Sequence, residues 1–396
     1  MGWPDDFHTW VRHAGEKYVC AGCIQDDGLK PYVEAHVCHS QCSYCGKTSD
    51  GEIAANINNV TVFIFESLMT EYGLAIESLV YESAEGGYQG PITDFDDVLR
   101  YSGELEVDNE ELMEDILQAM PEEPIFSKDL FHDETGELQS AWDTFAKQIM
   151  HEQRYVFFRT KTVEDHKYSF DRQEEPHTIL ESLGGIVREL EMVRTLAPET
   201  IVYRGREHPE EKHYTSAADL GVPPKERASQ SRMSGAGIPV FYGALDAETT
   251  QMEVESDDPA RAIVTIGTFR TLRSLNVLDL ADPIEGVSIF DAQRRHQRSA
   301  RAFLREFRAD ISKPIQKDNR IHIEYVPTQV VAEYFRHVFV DEDQSQLDGI
   351  LYPSTRNDNG VCCVLFLSAV ECVDAPAPDK TLHLLQVARR PKRTGK

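Results

Sequence analysis

The sequence predicts an α+β protein: a cysteine-knuckle module and a mostly helical stretch, then a mixed β core with flanking helices. Three observations predict it. Two Cys-x2-Cys pairs stand close together near the start. Between Asn59 and Leu196, apolar residues recur mainly at three- and four-residue spacing. Beyond Thr200, short β-branched and aromatic runs alternate with helical patterns. A chain of 396 residues is also too long for one ordinary core. The expected division is a knuckle module over 1–50, an acidic and mostly helical domain over 51–197, a mixed domain over 198–378 and a basic tail over 379–396.

The knuckles come first. Cys20-x2-Cys23 is followed, after 18 intervening residues, by Cys42-x2-Cys45. A Cys-x2-Cys turn lets two thiolates meet one tetrahedral ion, and two turns complete four ligands, which is zinc-binding spacing. Gly22 and Gly46 give such turns backbone freedom. Four ligands leave no open position, so the expected zinc is structural. Cys38 and His39 lie inside the interval and leave the fourth ligand open. Cys362, Cys363 and Cys372 sit in apolar, strand-like sequence and read as buried core thiols.

The helical stretch follows. Asn59–Tyr72 and Asn109–Met120 carry helical periodicity, although Val60–Phe65 is β-branched enough to suit a strand. Asp108 or Asn109 is the N-cap of the second helix, with acids in its first turn. Leu138–Phe158 is amphipathic, and Thr178–Leu196 has the clearest helical pattern of the chain, with Gly184-Gly185 as a place for a kink.

Charge narrows the class. A net charge of −28 argues against nucleic acid as a partner, because binding a polyanion needs clustered Lys and Arg. Between Asp94 and Glu137 there are 16 acids against Arg100 and Lys128, which reads as a solvated acidic surface. Arg389–Lys396 has the opposite sign and reads as a disordered tail. The first residues lack the pattern of a secretion signal, and no apolar run approaches the ~20 residues of a membrane span. The expected location is the cytoplasm.

The chemistry lies in the second half. In Tyr203-Arg204-Gly205-Arg206 the arginines alternate, so both point to one face of a strand, where two guanidiniums fit a pyrophosphate. Ser231-Arg232-Met233-Ser234-Gly235-Ala236-Gly237 leads into the strand Ile238–Gly243, which carries Tyr242. Asp246 caps a helix through Glu253 and Glu255. Pro327 opens a later helix, and the strand Gly349–Tyr352 delivers Ser354 ahead of a strand over Val361–Val370.

This order of Arg, Tyr, Glu and Ser resembles the RES domain family over roughly residues 195–375. The resemblance implies a core related to ADP-ribosyltransferases and an enzyme that breaks down NAD. It implies Arg204, with Arg206 and Arg232, on the pyrophosphate and Tyr242 stacked on nicotinamide. It also implies Glu253 stabilising the ribosyl cation and Ser354 bonded to the substrate near the nicotinamide ribose. Glu253 is favoured over Glu255 because the family's Glu follows its Tyr by about eleven residues. Two positions depart from the family, which commonly has Asn where this chain has Ser234, and Asn near Gly360-Val361-Cys362-Cys363. Rate or acceptor choice is expected to differ accordingly.

Knuckles and acidic helices ahead of such a domain are similar to the family's HEPN/RES N-terminal module. HEPN ribonucleases use an Arg-x4–6-His motif on a helix. Arg159-x6-His166 and Arg172-x4-His177 match, but Pro176 interrupts the second, and neither stretch has helical periodicity. The resemblance therefore implies a toxin-like NAD-consuming enzyme, with water, phosphate or a macromolecule as acceptor. Its implied partners are an antitoxin, activator or phage-derived trigger, or a second copy of the chain. The alternatives are an ADP-ribosyltransferase acting on protein or nucleic acid, and a non-enzymatic zinc-ribbon adaptor.

Overall fold

The computed structural model describes residues 10–128, 134–156, 178–313 and 320–393. Both Arg-x4–6-His matches, Arg159-x6-His166 and Arg172-x4-His177, lie outside the described residues. The chain forms two compact units, Met1–Gly136 with Glu285–Ala302, and Glu137–Ile284 with Phe303–Lys396. The first unit thus takes residues from two separate parts of the chain.

In the first unit, β1 (Tyr18–Cys20), β2 (Val37–His39) and β3 (Ala54–Asn56) form a sheet in the order β1-β3-β2, with α1 (Leu29–Ala35) between β1 and β2 in sequence. The run Val60–Phe65 is helical, inside α2 (Ile57–Glu71), because Asn56 caps that helix by accepting from Asn58 N. α3 (Glu110–Ala119) is capped by Asn109, whose side chain accepts from Leu112 N at 3.1 Å. Ile289 and Phe290, from the late segment, are fully buried among Leu29, Val33, Ile64 and Leu112. In the same segment Arg298 bonds Glu71 at 2.7 Å and Glu104 at 2.8 Å, and Ser288 Oγ donates to Asp26 at 2.9 Å.

In the second unit, α4 (Glu134–His151), which starts just ahead of it, is followed by α5 (Thr178–Glu189). The helix expected to run to Leu196 stops at Glu189, and Glu191 takes a left-handed φ of 51°. Val193–Leu196 is β4, because its pairing with a later strand outweighs its helical spacing. At Gly184 in α5, a Cβ would lie 2.3 Å from the Tyr334 hydroxyl, so the glycine makes room for that ring.

The unit is built on a nine-stranded sheet. Its strands are β4, β5 (Ile201–His208), β6 (Phe241–Ala244), β7 (Ile263–Thr271), β8 (Leu275–Asp279), β9 (Gly349–Pro353), β10 (Val361–Leu365), β11 (Cys372–Val373) and β12 (Leu382–Pro391). The order is β11-β12-β7-β5-β6-β10-β9-β8-β4, antiparallel except for β8/β9 and β11/β12. The core joins Val202, Phe241 and Phe269 to Leu275, Val277 and Leu351, from both sides of that order.

The expected basic tail is largely β12, paired along β7 from Leu382↔Thr271 to Pro391↔Ile263. Leu382 and Leu384 are buried, and the ladder satisfies the backbone beneath the arginines, so high charge here marks a sheet strand and not a tail. Four further helices complete the part needed here: α6 (Ala217–Leu220), α7 (Ala247–Val254), α8 (Arg298–Ser312) and α9 (Val326–His337), the last with proline in its first turn. Among the described residues no helix is long and apolar enough to cross a membrane.

Candidate active site and metal centre

Strand alternation sorts the sequence-predicted residues. Ala244 pairs with Tyr203, so Tyr203, Gly205, Tyr242 and Ala244 share one face of the sheet. Gly205 lies under α7, where a Cβ would touch Thr250 and Val254 at 3.1 Å. Arg204 and Arg206 point to the other face, which carries Val202, Phe241 and Cys363.

On the α7 face, Glu253 and Ser354 come together. Ser354 Oγ donates to Glu253 Oε1 at 2.5 Å and accepts the N–H groups of Arg356 and Asn357 at 3.1 Å each. The hydroxyl proton and both lone pairs are thereby used. The loop after Ser354 is fastened to α7: Arg356 Nη1 donates to Met252 O at 2.9 Å, and Asn357 Nδ2 donates to Thr249 Oγ1 at 2.7 Å. Thr249 is in turn bonded to the N-cap, Asp246. Glu255 is engaged elsewhere, accepting from Gln251 Nε2 and Arg393 N, both at 2.8 Å.

Tyr242 shares this face, and its hydroxyl accepts from Met233 N at 2.6 Å. Burial pushes its pKa up, keeping it a neutral phenol. The Ser231–Ser234 turn is pinned in place by α9, as Gln329 Nε2 donates to Ser231 O at 2.7 Å and Thr328 Oγ1 to Arg232 O at 2.5 Å. Arg232 spends its guanidinium on the end of α8, donating to Ile311 O at 2.5 Å and Lys313 O at 2.7 Å. Free carbonyls at a helix C-terminus attract such a cation, so Arg232 buttresses the loop in this structure.

The opposite face holds two neighbouring arginines. Arg204 lies 5.4 Å over the Phe241 ring and Arg206 5.9 Å over the Tyr214 ring. Arg204 Nη1 and Arg206 Nε are buried without a hydrogen-bond partner. Burial, reinforced by Arg206, pushes the Arg204 pKa down to about 10. Buried donors on a guanidinium are normally paired, so these are groups waiting for an acceptor. The two faces meet where β5 and β6 join, and Ala244↔Tyr203 is the sole registered pair between those strands among the described residues.

The four knuckle cysteines converge. Their sulfurs lie within 4.8 Å of one another, with separations of 3.9 Å for Cys20–Cys23, 3.6 Å for Cys20–Cys45 and 3.7 Å for Cys23–Cys42. Metal–sulfur bonds of ~2.3 Å at tetrahedral angles place sulfurs about 3.8 Å apart, so the donor set fits one metal ion. Burial raises the thiol pKa of Cys42, but the N–H groups of Cys45, Cys20 and Tyr44 outweigh it and leave the value at about 7. Cys38 is exposed, and His39 Nδ1 is turned to the Gln41 backbone, so neither joins the cluster.

Comparison with known families agrees with this architecture. Residues 201–385 match the RES domain, and residues 35–163 match HEPN/RES N-terminal domain 1. The chain is a RES-domain protein with that N-terminal domain ahead of it. The RES family is toxin-like and associated with enzymes that act on NAD. No curated protein and no solved structure shows significant similarity to the chain.

Sequence reasoning missed the Ser354–Glu253 contact and the engagement of Arg232 with α8, since neither leaves a local pattern. It also missed the separation of the arginines from Glu253 by the sheet. The strand alternation of Arg204 and Tyr242 held the signal for that separation, but only the register of β5 on β6 makes it readable.

Proposed function

We propose that this protein consumes NAD by cleaving the bond between nicotinamide and ribose. The observation that carries the reading is the Glu253 carboxylate, bonded by Ser354 at 2.5 Å and flanked through the sheet by two arginines with unsatisfied buried donors. A dinucleotide lying where β5 and β6 part reaches both faces. Its pyrophosphate accepts from Arg204 and Arg206, while nicotinamide stacks on Tyr242.

The C1′–N1 bond breaks with its electron pair going to the nicotinamide nitrogen, which neutralises the pyridinium. Positive charge develops on the ribose, where Glu253 supplies an oriented negative field. Ser354 donates to that carboxylate, and Arg232 supports the loop that positions Tyr242. The acceptor then bonds C1′: water gives ADP-ribose, and phosphate gives its 1″-phosphate. The four cysteines hold a structural zinc, and the N-terminal domain serves as sensor or brake on a toxin-like, cytoplasmic enzyme used in antiphage defence or restrained by an antitoxin.

Purified protein is incubated with NAD labelled in its ADP-ribose part, beside Glu253→Gln. Free ADP-ribose or its phosphate, formed by wild type and not by the variant, supports the reading. Label retained on a macromolecule supports an ADP-ribosyltransferase instead. Intact NAD under all conditions, including added phosphate and candidate triggers, favours a zinc-ribbon adaptor.

A further inference from the structure

Cys362 occupies a position that the mechanism above leaves unused. It lies in β10, directly opposite Ala244 of β6 on one side and Tyr352 of β9 on the other. Residues paired in this way share a face, so the side chain points to the side of the sheet that carries Tyr242, α7 and Glu253. It is 2% exposed, α7 packs against β10, and the Glu253 carboxylate and the Tyr352 hydroxyl are the thiol's polar neighbours. Cys363, its neighbour, points to the opposite face, toward Gly243 and Arg204.

We infer that Cys362 is a positioning residue for Glu253: its thiol and the Ser354 hydroxyl hold the carboxylate between them. Ser354 has one proton to give, and it goes to Oε1 at 2.5 Å. A carboxylate has about four lone-pair sites, and a single donor leaves it free to rotate about its last torsion. The thiol approaches from the floor of the sheet, whereas Ser354 approaches from the loop beyond β9, and two donors from different directions fix the plane. Burial and the neighbouring carboxylate push the thiol pKa well up, so Cys362 keeps its proton and remains a donor.

The other groups facing this spot are Tyr352 and Tyr242, both held neutral by burial, and Arg356, whose guanidinium is committed to the carbonyls of Met252 and Glu255.

The kinetic part of this inference rests on the NAD-cleaving reading, so the test has two arms. In the first, Cys362→Val keeps volume and removes the donor, and Cys362→Ser restores a donor. The valine variant is expected to lose about tenfold in kcat with KM for NAD within about twofold. The acid limb of its pH profile moves to higher pH, because a carboxylate that loses a donor holds its proton more tightly. Cys362→Ser is expected to recover kcat to within about threefold of wild type and to return the limb to its place. A mere packing role would move neither the limb nor the serine variant in this direction.

The second arm needs no activity. The infrared S–H stretching band assigned to Cys362, by difference from Cys362→Ser, should move to higher frequency in Glu253→Gln, where the acceptor is weaker. A valine variant with wild-type kcat and acid limb, or a band indifferent to Glu253→Gln, overturns the inference. If wild type consumes no NAD, the function proposal fails, and the infrared arm alone decides the role of Cys362.

Discussion

Replacing Arg204 by methionine should make the ligand-free protein more stable while removing its grip on the ligand. In the free protein the guanidinium is buried with Nη1 unpaired and Arg206 beside it. Its pKa falls from the ordinary arginine value to about 10. At about 1.4 kcal/mol per pH unit, that is an electrostatic cost on the order of 3 kcal/mol. Methionine fills similar volume without the charge, and it gives up the stacking of Arg204 on Phe241, worth about 0.5–1 kcal/mol. The net expectation is a gain of about 2 kcal/mol, or roughly 4–8 °C in Tm for a unit of this size.

Differential scanning calorimetry of both proteins, with and without ADP-ribose, checks this. ADP-ribose should raise Tm in wild type and leave the variant unmoved. A variant less stable than wild type would refute the reasoning, since it would mean that Arg204 is held by interactions its geometry does not reveal. A variant still stabilised by ADP-ribose would place the pyrophosphate elsewhere.

Other expectations follow from the same geometry. Glu253→Gln should lower kcat by about 10²–10³ with little change in NAD affinity, whereas Glu255→Gln should keep near-wild-type turnover; steady-state kinetics and calorimetric titration of both variants test this. Near-normal turnover in Glu253→Gln, or its loss in Glu255→Gln alone, would exchange their roles. Elemental analysis should find one zinc per chain, and Cys42→Ser or a strong chelator should yield insoluble or unfolded protein, because the binding energy of such a site, commonly ~10 kcal/mol or more, is folding energy. Gly184→Ala should destabilise the second unit by about 1–3 kcal/mol, read from urea midpoints, and adding Tyr334→Phe should recover part of the loss by removing the atom that the new methyl group meets.

Much of this arrangement was readable from residues alone, wherever a local rule operated. The Cys-x2-Cys spacing, the cap at Asp246 and the proline opening α9 each depend on neighbours a few positions away. What escaped depends on partners far off in sequence. Val193–Leu196 has helical spacing yet becomes a strand because β8 is available to it. Arg389 and Arg390 look like a solvated tail until β7 supplies a ladder for their backbone. Arg232 carries the same charge as Arg204, and only the position of the α8 terminus separates a loop buttress from an unpaired cation.

The discontinuous first unit has a consequence for how the protein is made. Ile289 and Phe290 complete a core whose other members lie before residue 126, so that core stays open on the ribosome until the segment up to Ala302 has emerged. By then β5, β6 and α7 have already been synthesised, with Arg204, Tyr242 and Glu253 in place along the chain. The knuckle module is therefore translated well before the segment that completes its unit. A nascent chain interrupted before residue 285 would display an apolar opening to the cell's quality-control machinery, which gives a cell a way to dispose of incomplete copies.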